Sequence, residues 1–156
     1  MKAPAFDYVR VRSLDEALAL LGRHGDEAKI IAGGQSLVPA LNLRLLAPRL
    51  LIDIGDLDEL KGISVNGDTV RIGALVRHVE LERSPEIAAH APLLKKAIAH
   101  VAHPAIRNRG TIGGNLAHAD PASELPACAV ALQARMIVAT GKGERSIAAE
   151  EFFTGV

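Results

Sequence analysis

Polar and apolar residues alternate over Phe6-Asp7-Tyr8-Val9-Arg10-Val11, which predicts a short strand near the N-terminus. Ser13 follows as a helix cap, with Glu16 three positions on at the spacing of a capping box. The predicted helix carries an apolar stripe of Leu14, Ala17, Leu18 and Leu21 and runs out between Gly22 and Gly25. Lys29-Ile30-Ile31-Ala32 reads as a second strand that leads directly into Gly33-Gly34. Ser36 is placed to cap a second helix reaching about Leu46, stopped by Ala47-Pro48. The largely apolar run Leu50-Leu51-Ile52-Asp53-Ile54 reads as a buried strand. The order β-α-β-α-β favours a small parallel sheet with crossover helices.

The pattern changes from Gly62. Ile63-Ser64-Val65, a turn at Asn66-Gly67, and Thr69-Val70-Arg71-Ile72 predict a hairpin. A helix around His78–Arg83 follows, then a longer one from Pro85 to about Val101. Ser123–Ala134 also reads as helical, interrupted or opened by Pro126. Arg135–Thr140 and Glu144–Ala148, joined at Gly141-Lys142-Gly143, predict a second hairpin. The expected organisation is therefore α+β: a parallel lobe over residues 1–60 and a second lobe over residues 61–156. No internal repeat breaks this picture.

Composition removes several function classes. Eighteen basic residues balance eighteen acidic ones in 156, so no overall field draws in nucleic acid or an anionic membrane. No apolar run reaches the roughly 18 residues of a membrane span. Met1-Lys2-Ala3-Pro4 lacks the apolar core of a signal peptide, so a cytoplasmic protein is expected. A single cysteine, Cys128, excludes an internal disulfide, a zinc ribbon and an iron–sulfur cluster. If this chain handles electrons, the metal clusters sit on other chains. The only aromatics are Phe6, Tyr8, Phe152 and Phe153, leaving nothing between Val9 and Glu151 to stack on a flat ring system.

The candidate chemistry lies in two glycine segments. Ala32-Gly33-Gly34-Gln35-Ser36 ends a strand and opens a helix, a setting in which successive backbone N–H groups can face an anion. It is equally suited to a tight turn that needs no ligand. A second Gly-Gly pair, in Thr111-Ile112-Gly113-Gly114-Asn115, is again flanked by a hydroxyl and an amide residue. Two such segments suggest one ligand held from both sides. Neither matches the G-x-G-x-x-G or Walker A pattern, which disfavours Rossmann and P-loop readings.

Taken with Ile106-Arg107-Asn108-Arg109-Gly110 before the second segment, the chain resembles the FAD-binding medium subunit of molybdenum hydroxylases. The resemblance covers nearly the whole chain, including Leu51-Ile52-Asp53-Ile54, Ile72-Gly73-Ala74 and Asp120-Pro121-Ala122-Ser123-Glu124-Leu125-Pro126. It implies a fold of the vanillyl-alcohol-oxidase type, two α/β lobes with FAD between them. It assigns the pyrophosphate to the backbone of Ile31, Ala32, Gly33, Gly34, Gln35, Ser36 and Leu37. Thr111, Ile112, Gly113, Gly114 and Asn115 fall to the pyrophosphate and ribityl region, Glu124 or Asp120 to an acidic cofactor contact, and Val101 to the neighbourhood of the adenine.

The resemblance also implies partners: a large subunit with the molybdenum cofactor and a small subunit with two [2Fe–2S] clusters. Electrons would pass through the flavin to NAD, a quinone or another acceptor. The alternative is a truncated, non-catalytic binding or assembly module. Such subunits usually continue into a C-terminal domain that covers the flavin ring, so these residues alone are expected to bind FAD weakly or leave its ring open to solvent. No residue reads as a general base or nucleophile for hydroxylation. His100, His103 and His118 with Asp120 and Glu124 imitate a metal set, but Pro104 breaks the helix after His103, and no metal is expected. Arg107 and Arg109 could neutralise phosphate, or equally be solvated or pair with Asp120 or Glu124, and these readings stay open. Cys128, among Pro126, Ala127, Ala129 and Val130, reads as a small core residue.

Overall fold

The computed structural model describes residues 2–154. Strand β1 (Asp7–Arg10), helix α1 (Leu14–His24), β2 (Ala28–Ile31), α2 (Leu37–Asn42) and β3 (Leu50–Asp53) follow in turn. The three strands form a parallel sheet in the order β1-β3-β2, with Asp7 and Ala28 both in register with Leu50. The middle strand is buried along its whole length, as a strand covered on both faces must be. Val11, Ala17, Ala28, Leu50 and Ile52 form the first core, and Ile52, with no exposed surface, contributes about 2–3 kcal/mol by burial.

Ser13 caps α1 through its side chain, which accepts from the Glu16 N–H at 3.2 Å. The Glu16 carboxylate reaches back to the Arg12 N–H rather than to that of Ser13, so the box closes one residue early. Helix α2 departs further from expectation. Ser36 makes no side-chain capping bond, and the helix ends at Asn42, not Leu46. Arg44 takes the left-handed conformation at φ 59°. The Arg44 N–H donates to Leu41 O and the Leu45 N–H to Ala40 O, the pair of bonds that closes a Schellman motif.

The second part opens with an antiparallel hairpin, β4 (Ile63–Asn66) and β5 (Thr69–Ile72). Asn66 pairs with Thr69, so the turn residues are Gly67-Asp68, one position later than expected, with Gly67 at φ 57°. Helices α3 (His78–Arg83), α4 (Pro85–His90), α5 (Pro92–Ile98), α6 (Pro104–Arg107), α7 (Ile112–His118) and α8 (Glu124–Ala131) follow. The expected long helix from Pro85 to Val101 is two helices. Pro92 forces Ala91 out of the helical region, to φ −136° and ψ 58°, and then serves as the first residue of α5. Hairpin β6 (Arg135–Thr140) and β7 (Gly143–Ala148) and the short α9 (Ala149–Phe152) complete the described chain.

A second core gathers Val76, Leu81, Ile87, Leu94, Ile98, Ile112 and Leu125. Cys128 is buried within it, and burial pushes its thiol pKa up, as expected of a packing residue. Leu75 crosses over and packs in the first core, so the segment after β5 ties the two parts together.

At the C-terminal end of the middle strand, Asp53 is buried yet ionised. Its Oδ1 accepts the Gly55 N–H at 2.8 Å, and its Oδ2 accepts from the Tyr8 hydroxyl and from Arg10 Nε and Nη2 at 3.0 and 2.8 Å. Burial works to raise its pKa, but the bonds from Tyr8, Gly55 and Arg10 outweigh it and leave the pKa lowered. A carboxylate lowered in the folded state contributes stability above its unfolded pKa of about 4, lost as pH falls through the folded value. Asp53→Asn is expected to cost about 2 kcal/mol at neutral pH. It should also remove part of the wild type's acid-induced loss in unfolding experiments. Equal acid sensitivity in both proteins would refute this role.

Candidate functional site

The two glycine segments meet. A Cβ placed on Gly33 would strike the Arg109 carbonyl oxygen and lie 2.8 Å from Gly110 Cα, so only glycine allows this approach. Gly34 sits at φ 72°, and its carbonyl accepts the Val38 N–H at 3.0 Å as the chain turns into α2. The Gln35 side chain donates back to Gly33 O at 2.9 Å and braces the turn. Among the described residues, the backbone N–H groups of Gly33, Gly34, Gln35 and Ser36 donate to no protein acceptor. Gly33, Gly34 and Gln35 are half-buried, while Ser36 is exposed. Backbone donors away from water are ordinarily paired. Four in succession form a donor row suited to a polyanion such as a pyrophosphate.

The second segment behaves differently from the first. It is not a loop but the opening of α7, capped by Thr111, whose hydroxyl oxygen accepts the Gly114 N–H at 3.2 Å. The Ile112 N–H donates to Val76 O, the Gly113 N–H to Ala74 O and the Asn115 N–H to Thr111 O, at 2.9–3.0 Å. These donors are already committed. Gly113 instead allows close packing, since a Cβ there would lie 2.6 Å from Ala74 Cβ and 2.7 Å from its carbonyl oxygen. The segment's free polar groups are side chains: the Thr111 hydroxyl proton, and the Asn115 amide nitrogen. The Asn115 oxygen accepts from Ser123 at 2.9 Å, which orients that amide.

The remaining expected residues divide by environment. Ile31, Ala32 and Leu37 flank the donor row and are half-buried. Ile112 and Val101 are buried in the second core, and the Val101 carbonyl accepts from Arg107 at 3.1 Å. Asp120 is exposed and spends one oxygen on the Ala122 N–H in a local turn. Glu124, half-buried at the start of α8, makes no hydrogen bond or ion pair among the described residues.

The two arginines also separate. Arg107 pairs with Glu82 at 3.2 Å and donates to Val101 O and Ala102 O, which makes it a bracket between α3 and the α5–α6 link. Its pairing is with Glu82, not with Asp120 or Glu124. Arg109 is exposed beside the junction, and among the described residues its side chain has no ion-pair partner. No three His, Cys, Asp or Glu side chains converge as a metal set among the described residues.

Three contributors were not singled out from the sequence. Gly110 is the surface against which Gly33 packs, and Ala74 is the surface against which Gly113 packs. The Ile72-Gly73-Ala74 run, a small pair directly after a strand, was the signal for the latter. The third is His78, 3% exposed, which lies behind Gly110 and has neither ring nitrogen hydrogen-bonded among the described residues. Burial lowers its pKa, the Thr111 backbone works the other way, and the Arg107 charge adds to the lowering. Two shallow surface concavities, one lined by Arg10, Val11, Arg12 and Asp56 and the other by α1 and the β6–β7 turn, include no glycine-segment residue.

Comparison with known proteins converges on one family. Residues 4–156 match the FAD binding domain in molybdopterin dehydrogenase. The carbon monoxide dehydrogenase medium chain of Hydrogenophaga pseudoflava is 44% identical over 155 residues, 99% of this chain and 54% of that protein. The caffeine dehydrogenase subunit beta of Pseudomonas sp. (strain CBB1) is 48% identical over 156 residues, 99% of this chain and 53% of that protein. The solved structure of carbon monoxide dehydrogenase from Hydrogenophaga pseudoflava superposes with a TM-score of 0.97 at 44% identity, over 99% of this chain and 54% of that one. Quinoline 2-oxidoreductase from Pseudomonas putida 86 gives 0.96, also at 44% identity, over 99% of this chain and 54% of that one. The chain spans about half the length of the curated relatives it matches. The row of open N–H donors suits the anionic middle of FAD, and no helix among the described residues is long and apolar enough to cross a membrane. The chain belongs to the family of FAD-binding domains in molybdopterin dehydrogenases.

Proposed function

We propose that this chain is the FAD-holding portion of the flavoprotein subunit of a cytoplasmic molybdenum hydroxylase. It works beside a large molybdenum subunit and a small [2Fe–2S] subunit. The observation that carries this reading is the row of four N–H groups from Gly33 to Ser36 that donate to no protein acceptor among the described residues, with Gly33 packed against the Arg109–Gly110 backbone. Bound FAD supplies a redox centre that takes up and passes on electrons singly or in pairs.

The chain's own residues position that cofactor. The Gly33–Ser36 amides would hold the pyrophosphate, preorganised so that no backbone rearrangement accompanies binding. The Thr111 hydroxyl and the Asn115 amide would hold neighbouring phosphate or ribityl oxygens. Glu124, half-buried and without a partner among the described residues, would accept from a cofactor hydroxyl. Arg109, exposed at the junction, would offset phosphate charge.

Relatives named for carbon monoxide and for caffeine share 44% and 48% identity with this chain. Substrate choice therefore lies outside this part of the protein. Electrons would arrive from the iron–sulfur subunit and leave to NAD or another acceptor. The test is assembly with the molybdenum and iron–sulfur subunits, followed by addition of the oxidisable substrate. Bleaching of the flavin absorbance that depends on both partners, and NADH-dependent dye reduction, are the expected results. Flavin that stays oxidised in the complete assembly would overturn the relay.

A further inference from the structure

We infer that His78 is a positioning residue of the FAD site, whose neutral imidazole holds the Gly110–Thr111 junction in place from behind. The inference rests on the functional reading above, because the junction is the surface against which Gly33 packs. Three layers lie in contact. The Gly33 backbone meets Gly110 Cα, and Gly110 in turn faces the imidazole, so that a Cβ on Gly110 would lie 3.1 Å from both Cε1 and Nδ1 of His78. The His78 N–H donates to Gly110 O at 2.9 Å, and the Ile112 N–H donates to Val76 O at 3.0 Å, flanking the isolated bridge between Arg77 and Thr111. His78 therefore grips the junction by its backbone and backs it with its ring.

Imidazole is an unexpected filler for this space. It is 3% exposed, and neither nitrogen meets hydrogen-bond geometry among the described residues, the Thr111 backbone lying near enough only to offset part of the pKa lowering. An aliphatic or phenyl side chain would fill the same volume without burying unpaired polar atoms. What imidazole adds is a proton equilibrium close to neutrality.

The charged groups on the surrounding elements do not favour imidazolium. Arg107 on α6 is held by Glu82 of α3, and Lys95 of α5 donates to the Glu82 carbonyl. Arg77 and Glu80 bracket the start of α3, with the Glu80 carboxylate committed to the Arg77 N–H at 2.8 Å. Arg109 adds a further positive charge on the link, and the Gly33–Ser36 segment carries none. Burial lowers the imidazole pKa, the Thr111 backbone offsets part of that, and the Arg107 charge adds to the lowering. The neutral-ring arrangement is thus fully stable above the unfolded histidine value of about 6.5, and it weakens as pH falls below that value. A protonated ring must move toward water, carrying Gly110 away from Gly33.

The test compares FAD affinity of the wild-type chain and of His78→Phe between about pH 8 and pH 5.5, across the histidine range. Wild-type binding should weaken severalfold on acidification, about tenfold being the ceiling at about pH 5.5 for a histidine whose unfolded pKa is about 6.5. His78→Phe should bind within about threefold of wild type at pH 8 and lose most of the acid dependence. His78→Gln, which cannot ionise, should also give a flat profile and serves if the phenyl variant fails to fold.

A flat wild-type profile, or variants that keep the full acid loss, would overturn the inference. Amide hydrogen exchange at Ile112 and Gly113, corrected for intrinsic rates, reads the same junction without cofactor. It should accelerate on acidification in wild type and not in His78→Phe, and equal acceleration in both would overturn the role of His78. Failure of wild type to bind FAD at pH 8 counts against the functional reading instead, and the exchange measurement then decides His78 alone.

Discussion

Gly33→Ala is expected to destabilise the chain by about 3 kcal/mol, the upper end for overpacking, and to weaken FAD binding by about a hundredfold. The added methyl cannot be accommodated by a rotamer change, because it meets backbone on the other side: the Arg109 carbonyl oxygen and Gly110 Cα, the latter at 2.8 Å. One segment has to withdraw from the other. Withdrawal separates the open N–H groups of Gly33–Ser36 from Thr111 and Asn115, so stability and cofactor binding fall together. Thermal unfolding and FAD titration of the purified variant measure both. Gly22→Ala is the control, lying in α1 with nothing within 4 Å of the added carbon. It should stabilise by about 0.5–1 kcal/mol through helix propensity and leave FAD binding unchanged. A Gly33→Ala protein as stable as wild type, with unaltered affinity, would remove the contact from the account.

The second large effect is a reversal of sign. Gly113 lies inside α7, where alanine would ordinarily be favoured by nearly 1 kcal/mol. Here Gly113→Ala is expected to cost about 2 kcal/mol, since the methyl would sit 2.6 Å from Ala74 Cβ and 2.7 Å from the carbonyl that accepts the Gly113 N–H. Ala74→Gly in the same chain removes the Cβ collision but not the carbonyl one, so rescue should be partial. Denaturant unfolding of the single and double variants measures the coupling. A stabilised Gly113→Ala would mean that helix propensity, rather than the Ala74 contact, governs this position.

The parallel sheet was legible because each of its signals is local. Ser13 and Glu16 announce α1, and Leu50–Ile54 is too apolar for anything but an inner strand. The break at Ala91-Pro92 escaped the reading of one helix from Pro85 to about Val101, although the residue before a proline resists helical geometry. The end of α2 was not legible. Arg44 takes a left-handed conformation that glycine usually signals, and only the paired bonds from Arg44 and Leu45 reveal the motif.

The site divides in the same way. Its first segment was readable from Gly33-Gly34 after a strand. The helical character of the second is hidden by its two glycines, which depress helix propensity, whereas Thr111 and the contact with Ala74 hold it helical. Which N–H groups remain open depends on partners distant in sequence, Val76 and Ala74, and so does the place of His78 behind Gly110.

The central claim is that two glycine segments make one cofactor site, the first giving backbone donors and the second giving packing and side-chain contacts. An amide-resolved NMR titration of the chain with FAD tests it directly. Resonances of Gly33, Gly34, Gln35 and Ser36 should move together with Thr111 and the Asn115 side-chain amide, all at one half-saturation concentration. Shifts confined to one segment, or centred on Arg10, Arg12 and Asp56 instead, would contradict the account.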